Sequence, residues 1–358
     1  MKTVVLVGGG TSGHVEPALA VGKWLESMSS EINLEFIGTK SGVEVELLVN
    51  TGIAFHPILK VPFPRRFDFS TIVWPFKFLL AYLQALKCVK GSDLLIGFGG
   101  YVSAPAYLAA ATLRTPIIIH EANALPGLAN RFGSIFTKNI YVAFDAAKKI
   151  NSRWRSAILS GMPIKEAIDN FSSKDLANMR EDFLKVLNLD SSKKTLLIFG
   201  GSVGAEQINK SILEAKQILF SLNWNIIHAV GQKNQPPLSE KNYRAVSYIS
   251  DMAGAYAAAD FVISRSGAVT CAELAATGIP ALLVPLAVGN GEQDANAAEL
   301  IAIGQATKIN NREFTGEWLK ANIGNILKSA PSRKDGRASN AANIIGSRAL
   351  EILSRQTL

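Results

Sequence analysis

Short apolar runs alternate along the chain with stretches in which apolar residues return every three or four positions, the pattern of strands separated by amphipathic helices. Thr3-Val4-Val5-Leu6-Val7 ends in Gly8-Gly9, and Thr195-Leu196-Leu197-Ile198-Phe199 ends in Gly200-Gly201; each pair of glycines is followed by a polar helix start. A second unit repeats as well. Asp93-Leu94-Leu95-Ile96-Gly97, a glycine turn, an Ala-rich helix and Pro116-Ile117-Ile118-Ile119 are echoed by Asp260-Phe261-Val262-Ile263-Ser264, a Ser-Gly turn, another Ala-rich helix and Pro280-Ala281-Leu282-Leu283-Val284. Runs that are apolar throughout, rather than alternating, belong to strands buried on both faces, so the pattern predicts an α/β protein with parallel sheets covered by helices. Two echoes in the same order predict tandem Rossmann-like domains.

Gly161-Met162-Pro163 breaks the pattern after the strand-like Ala157-Ile158-Leu159-Ser160. The expected domains are therefore 1–163 and 164–337, with the first helix beginning near Pro17. Beyond Ala330-Pro331-Ser332, residues Ile344, Ile345, Ala349, Ile352 and Leu353 fall on one face of a helix, which is expected to pack back on the first domain over 338–358.

A length of 358 residues fits two domains, and 48% hydrophobic against 18% charged residues excludes a mainly disordered chain. Cys88 and Cys271 form neither a disulfide framework nor a metal-ligand spacing, which fits a reducing compartment. Met1-Lys2-Thr3 runs straight into the first strand, not into a signal peptide. The apolar stretch from Ile72 to Leu86 is interrupted by Pro75, Lys77 and Gln84 and reads as shorter than the ~20 residues that span a bilayer. The net charge is +8, with 16 Lys and Arg against 10 Asp and Glu up to residue 163 and 21 against 19 beyond it. These cations are scattered and form no nucleic-acid motif, so the first half points to an anionic lipid surface or a phosphorylated small molecule.

Gly8, Gly10 and Gly13 satisfy G-x-G-x-x-G between a strand and a helix, where backbone N–H groups and a helix N-terminus can meet a diphosphate. A nicotinamide site would want an acidic residue at the end of the second strand, and Phe36-Ile37-Gly38-Thr39-Lys40 supplies none. His14 suits proton transfer at a reacting hydroxyl, or else caps the loop. Gly99-Gly100-Tyr101 lets backbone approach a ligand, while His120 at the carboxyl end of Ile117-Ile118-Ile119 reads as a ligand-edge residue or a core histidine. His56 and His228 read as structural. In the second half, the Gly200 to Ala205 loop with the Ser202 hydroxyl can hold phosphate. Glu273 can accept from a ribose diol, or is a surface charge, and the loop from Gly289 to Asn296 offers partners for sugar hydroxyls. No Asp-x-Asp, P-loop or His-Glu-x-x-His motif supplies metal ligands.

Taken together and in this order, Gly8 to Pro17, Gly99-Gly100-Tyr101, His120-Glu121-Ala122-Asn123, Gly200 to Ala205, Ser264 to Glu273 and Gln293 to Asn296 resemble one family, the MurG-type undecaprenyl-diphospho-muramoylpentapeptide N-acetylglucosaminyltransferases of bacterial cell-wall synthesis. The resemblance implies a GT-B architecture with the active site in a cleft between two Rossmann-like domains. It also implies UDP-N-acetylglucosamine as donor and lipid I as acceptor, with no cofactor, metal or nucleic acid. The implied location is peripheral, on the anionic cytoplasmic face of the membrane, in reach of other cell-wall synthesis proteins. By motif, His14 is the expected base or acceptor contact, with Thr11, Ser12, Gly13 and Tyr101 near the acceptor diphosphate. Asn123, Lys165, Ser202, Arg265, Glu273 and Gln293 are the expected donor contacts. The family's Gly-Asn-Pro-Val-Arg is here Gly161-Met162-Pro163-Ile164-Lys165, Glu292 stands where His or Gln is usual, and Glu16 replaces an apolar residue. Rival readings are a transferase for another lipid or small acceptor, a silent sugar-nucleotide binder, and an NAD(P)-linked oxidoreductase. For the membrane, Arg65, Arg66, Phe67, Phe69, Trp74 and Lys77 are expected to form the docking face, with Leu79, Leu80 and Leu83 turned inward.

Overall fold

The computed structural model describes residues 1–49, 51–64, 69–171, 175–201, 204–286 and 291–356. Two compact units divide the chain, one of Met1–Lys165 with Ser339–Leu358, the other of Glu166–Ala338.

The first unit is built on a seven-stranded parallel sheet in the order β3-β2-β1-β4-β5-β6-β7. Its strands are β1 Lys2–Val7, β2 Ile32–Gly38, β3 Ala54–Pro57, β4 Leu94–Gly97, β5 Ile117–Glu121, β6 Ile140–Val142 and β7 Ile158–Leu159. Val4, Val5, Leu6 and Val7 are all fully buried, because alternate side chains enter two separate cores. Val4 and Leu6 meet the helix Ser12–Met28 and the C-terminal helix Ala341–Arg355 through Val15, Ala18, Leu25, Ile345 and Ala349. Val5 and Val7 meet the helices Phe69–Val89 and Ser103–Leu113 through Ala85, Val89, Ala106 and Ala110. The terminal helix comes so close to Ser12–Met28 that a Cβ on Gly346 would run into the Trp24 ring.

The first helix begins at Ser12, not near Pro17 as the sequence suggests, because the N–H groups of His14 and Val15 already bond the Thr11 carbonyl. Pro17, which reads in the sequence as a helix start, is the sixth residue of this helix and forgoes the bond that an N–H there would make to the Gly13 carbonyl. His14 therefore lies within the first turn.

The second unit repeats the plan with a six-stranded parallel sheet, order β10-β9-β8-β11-β12-β13. Its strands are β8 Thr195–Phe199, β9 Asn225–Ala229, β10 Tyr243–Val246, β11 Phe261–Ser264, β12 Ala281–Leu283 and β13 Ala306–Lys308. Leu196, Ile198 and Ile263 pack on the helices Glu206–Glu214 and Gly316–Ser329. In both units the strand order reverses beside the first strand of the unit, between β1 and β4 and between β8 and β11. At such a switch point the loops leaving the carboxyl ends of the strands part and leave room for a ligand.

Candidate active site

In the first unit the loops after β1, β4 and β5 meet at the switch point. Gly8 is tight against the chain, since a Cβ there would stand 2.9 Å from the His14 carbonyl oxygen, and Gly10 takes φ +90°. Thr11, Ser12 and Gly13 follow at the helix start, where the first amides lack intrahelical acceptors and the dipole is positive, the arrangement that receives an anion. His14 Nδ1 lies 3.1 Å from Thr11 Oγ1 and 3.3 Å from the Gly9 carbonyl oxygen. Across from it, the β4 loop runs through Gly99 and Gly100, both at positive φ, and a Cβ on Gly99 would come 3.3 Å from His14 Nε2. Tyr101 beside them is exposed, with Lys60 Nζ 5.6 Å from its ring centroid.

The β5 loop is organised by Glu121. Its buried carboxylate accepts from the N–H groups of Asn123 (2.9 Å) and Gly127 (3.0 Å) and from Asn130 Nδ2 (2.9 Å). Burial raises its pKa, and those hydrogen bonds oppose the rise. Asn123 thus stands on a loop braced from behind. His120 belongs to the core: its Nε2 hydrogen bonds the Gly161 carbonyl at 3.0 Å, and desolvation pushes its pKa down to about 4. Lys165, expected at donor phosphate, pairs with Glu16 at 3.4 Å, so the two departures from the family pattern meet each other.

In the second unit, Gly200 and Gly201 leave β8 and turn into the helix Glu206–Glu214; Gly201 and Gly204 take φ +94° and +87°. Ser202 lies outside the described residues. After β11, Ser264-Arg265-Ser266-Gly267 leads into the helix Ala268–Thr277. Arg265, expected as a cation facing the leaving group, is held by the protein itself through one guanidinium nitrogen. Its side chain is drawn inward, donating to the Val284 carbonyl (2.9 Å) and Asn311 Oδ1 (2.5 Å), and desolvation lowers its pKa. Glu273 is not a surface charge. It is buried to 8% exposure, and its Oε2 accepts from the Tyr256 hydroxyl at 2.9 Å. Gln293, in the first turn of Glu292–Ala302, accepts the Leu286 N–H at 2.9 Å. His228 is structural, held by Tyr243 and Asn209. His56 meets Glu35 at 2.8 Å.

Sequence reading missed Glu44. It stands just beyond β2 and is fully buried, and it accepts hydrogen bonds from Thr39 and from the Gly10 N–H. Flanked by Val43 and Val45, it reads in the sequence as an ordinary helix charge. A carboxylate near the end of β2 is what a nicotinamide ribose would use, but this one is engaged by the protein's own loop.

The segment expected to dock on a membrane also differs from the sequence reading. Arg65, Arg66 and Phe67 lie outside the described residues, as does the Phe69 side chain. Trp74 is half-buried, its ring 5.0 Å from Phe63 and 5.1 Å from Phe78. Ala81, Ala85 and Val89 face the unit's core, whereas Ile72, Phe76, Leu79, Leu80 and Leu83 are exposed beside the exposed Lys77. Leu79, Leu80 and Leu83 thus point outward, not inward, because the small alanines, not the leucines, fit against Ser103–Leu113. The helix runs unbroken from Phe69 to Val89, longer than the sequence reading, and by length and composition alone it could cross a membrane.

Two family models account for most of the chain. The glycosyltransferase family 28 N-terminal domain matches residues 4–142, and the family 28 C-terminal domain matches residues 195–352. Among relatives, the chain is 41% identical over 340 residues to the UDP-N-acetylglucosamine--N-acetylmuramyl-(pentapeptide) pyrophosphoryl-undecaprenol N-acetylglucosamine transferase of Frankia casuarinae, covering 92% of this chain and 88% of that one. The transferase of the same description from Corynebacterium glutamicum is 36% identical over 351 residues, 96% of each chain. The crystal structure of MurG from Acinetobacter baumannii superposes with a TM-score of 0.70 at 28% identity, covering 98% of this chain and all of that one. Two Rossmann-like units, each with glycine loops at its switch point, make this a glycosyltransferase of the GT-B class. The chain belongs to glycosyltransferase family 28.

Proposed function

We propose that this enzyme transfers N-acetylglucosamine from UDP-N-acetylglucosamine to the C4 hydroxyl of the N-acetylmuramoyl unit of undecaprenyl-diphospho-MurNAc-pentapeptide, converting lipid I to lipid II. The observation that carries the reading is the similarity to transferases of that description along nearly the full length of both chains. Inversion follows from a single displacement: the acceptor oxygen bonds to the anomeric carbon as the bond to UDP breaks, giving a β(1→4) link.

His14 is read as the base that takes the acceptor's hydroxyl proton, a role that contributes typically 10²–10⁴-fold. Its place in the first turn of Ser12–Met28 supports that reading, since the amides that would hold the acceptor diphosphate lie one and two residues before it. The β8 loop with Ser202 is assigned to the donor diphosphate, and Glu273 to the uridine ribose. Charge developing on UDP would be met by loop N–H groups, which cost no reorganisation when already fixed.

Docking is assigned to the exposed stripe Ile72, Phe76, Leu79, Leu80 and Leu83, with Lys77 beside it. One face of the same helix is packed on the protein, which supports lying in the interface rather than spanning it. UDP release measured with UDP-N-acetylglucosamine, against a lipid I analogue and a panel of other lipid and sugar acceptors, tests the assignment. Turnover with lipid I alone is the expected result, and preference for another acceptor would overturn it.

A further inference from the structure

Glu44 and His14 hold opposite ends of one peptide group. The Gly10 N–H donates to Glu44 Oε2 at 3.2 Å, and the carbonyl oxygen of the same peptide, that of Gly9, lies 3.3 Å from His14 Nδ1. A carbonyl oxygen only accepts, so a hydrogen bond from the ring to Gly9 needs the hydrogen on Nδ1, and in that tautomer Thr11 Oγ1, at 3.1 Å, is a second acceptor. The lone pair of the neutral ring then resides on Nε2.

The arrangement is closely fitted. Glu44 Oε1 accepts both the N–H (2.6 Å) and the hydroxyl (2.7 Å) of Thr39, which fixes the carboxylate in a site with no solvent exposure. A Cβ on Gly9 or Gly38 would press into the Glu44 side chain at 2.9 or 2.7 Å. On the other side, a Cβ on Gly100 would strike the Gly9 carbonyl oxygen, and one on Gly99 would stand 3.2 Å from His14 Cδ2. The peptide is held between a buried carboxylate and the second glycine loop, with the imidazole at its end.

We propose that Glu44 is a positioning residue for His14 that acts through the Gly9–Gly10 peptide. A carboxylate bonded to the amide N–H polarises the peptide and strengthens its carbonyl as an acceptor, because hydrogen bonds in a chain reinforce one another in a poorly solvated site. Two effects follow in the same direction. The Nδ1–H tautomer is fixed, leaving Nε2 as the base, and the imidazolium formed when Nε2 takes the acceptor's proton is stabilised. In hydrolase triads a carboxylate does this by direct contact with the histidine; here one peptide stands between them.

The inference rests on the reading of His14 as the base, and its test separates the two. Nitrogen NMR of the full chain with ¹⁵N-labelled histidine, assigned with His14→Ala, should show His14 as the Nδ1–H tautomer; the Nε2–H tautomer would overturn the inference before any kinetic measurement. Glu44→Gln keeps the size and removes the charge. It should lower kcat by about 10-fold, the scale on which partners that orient metal-bound histidines act, and leave UDP affinity unchanged. The acid limb of its pH profile should move to lower pH, and Glu44→Asp should recover part of the loss. In the His14→Ala background, Glu44→Gln should cost nothing further; an equal loss in both backgrounds would make Glu44 a loop peg that does not act through His14. Parental turnover in His14→Ala would remove the base and this inference with it. An impaired His14→Ala beside a Glu44→Gln of parental rate and pH profile would remove the inference alone.

Discussion

Lys165 Nζ stands 3.4 Å from Glu16 Oε1, two residues along the helix from His14. The lysine is half-exposed, so the pair contributes at most about 1 kcal/mol, screened by solvent. Glu16→Gln should therefore shift the thermal midpoint by no more than about 2–4 °C. If Lys165 also serves the donor, Lys165→Ala raises the donor KM while Glu16→Gln leaves it level or lowers it by releasing the cation. Equal increases in the two variants would instead assign the effect to the pair. Steady-state kinetics with varied UDP-N-acetylglucosamine decides between them.

Glu273, the carboxylate assigned to the uridine ribose, is buried and so demands partners, and Tyr256 supplies one of them. Glu273→Ala should weaken UDP binding by about 1.5–3 kcal/mol, the usual size of a hydrogen bond to a charged group. Calorimetric titration with UDP and its 2′-deoxy analogue checks the assignment. Discrimination should collapse in the variant; if it stays at the parental ratio, Glu273 does not hold the ribose.

Acid should destabilise the second unit through His228. Burial pushes its pKa down to about 4, below the ~6.5 of an unfolded histidine. Between those values the unfolded chain binds the proton and the folded chain does not. Stability is therefore complete above pH 6.5 and is lost as pH falls toward 4, at up to about 1.4 kcal/mol per pH unit. Denaturant unfolding of the parent and His228→Asn at pH 7.5 and pH 5 measures this, and the variant should lose less than the parent between the two. An equal loss would mean that His228 is protonated in the fold.

Vesicle co-sedimentation separates the exposed stripe from the aromatic cluster behind it. Phe76→Asp with Leu80→Asp should abolish binding to anionic vesicles while leaving activity on a soluble short-chain acceptor. Trp74→Ser should lower the thermal midpoint, since its ring packs on Phe63 and Phe78. Retained vesicle binding by the double variant would remove the stripe from docking.

The repeating plan was legible because strands buried on both faces leave unbroken apolar runs, as Val4 to Val7 and Leu196 to Phe199 do, and because glycines at tight turns cannot be disguised. Glu44 was not legible. Its carboxylate is satisfied by Thr39 and by a loop 34 residues earlier in sequence, and no local spacing announces that meeting. The inward bonds of Arg265 were not legible either, because its acceptors, Val284 and Asn311, come from distant segments. Leu79, Leu80 and Leu83 failed differently. Apolar residues on both sides of a helix leave the inward face undecided until the neighbour is known, and here the alanine face made the closer fit.

The central claim is tested most directly by the glycolipid made from UDP-N-acetylglucosamine and a lipid I analogue. Mass spectrometry and proton NMR should find one added N-acetylglucosamine, β-linked to C4 of the N-acetylmuramoyl unit, and His14→Ala should form the same product at a rate lowered by about 10²-fold or more. An α-linkage, a different attachment point, or UDP release without transfer to the lipid would contradict the account.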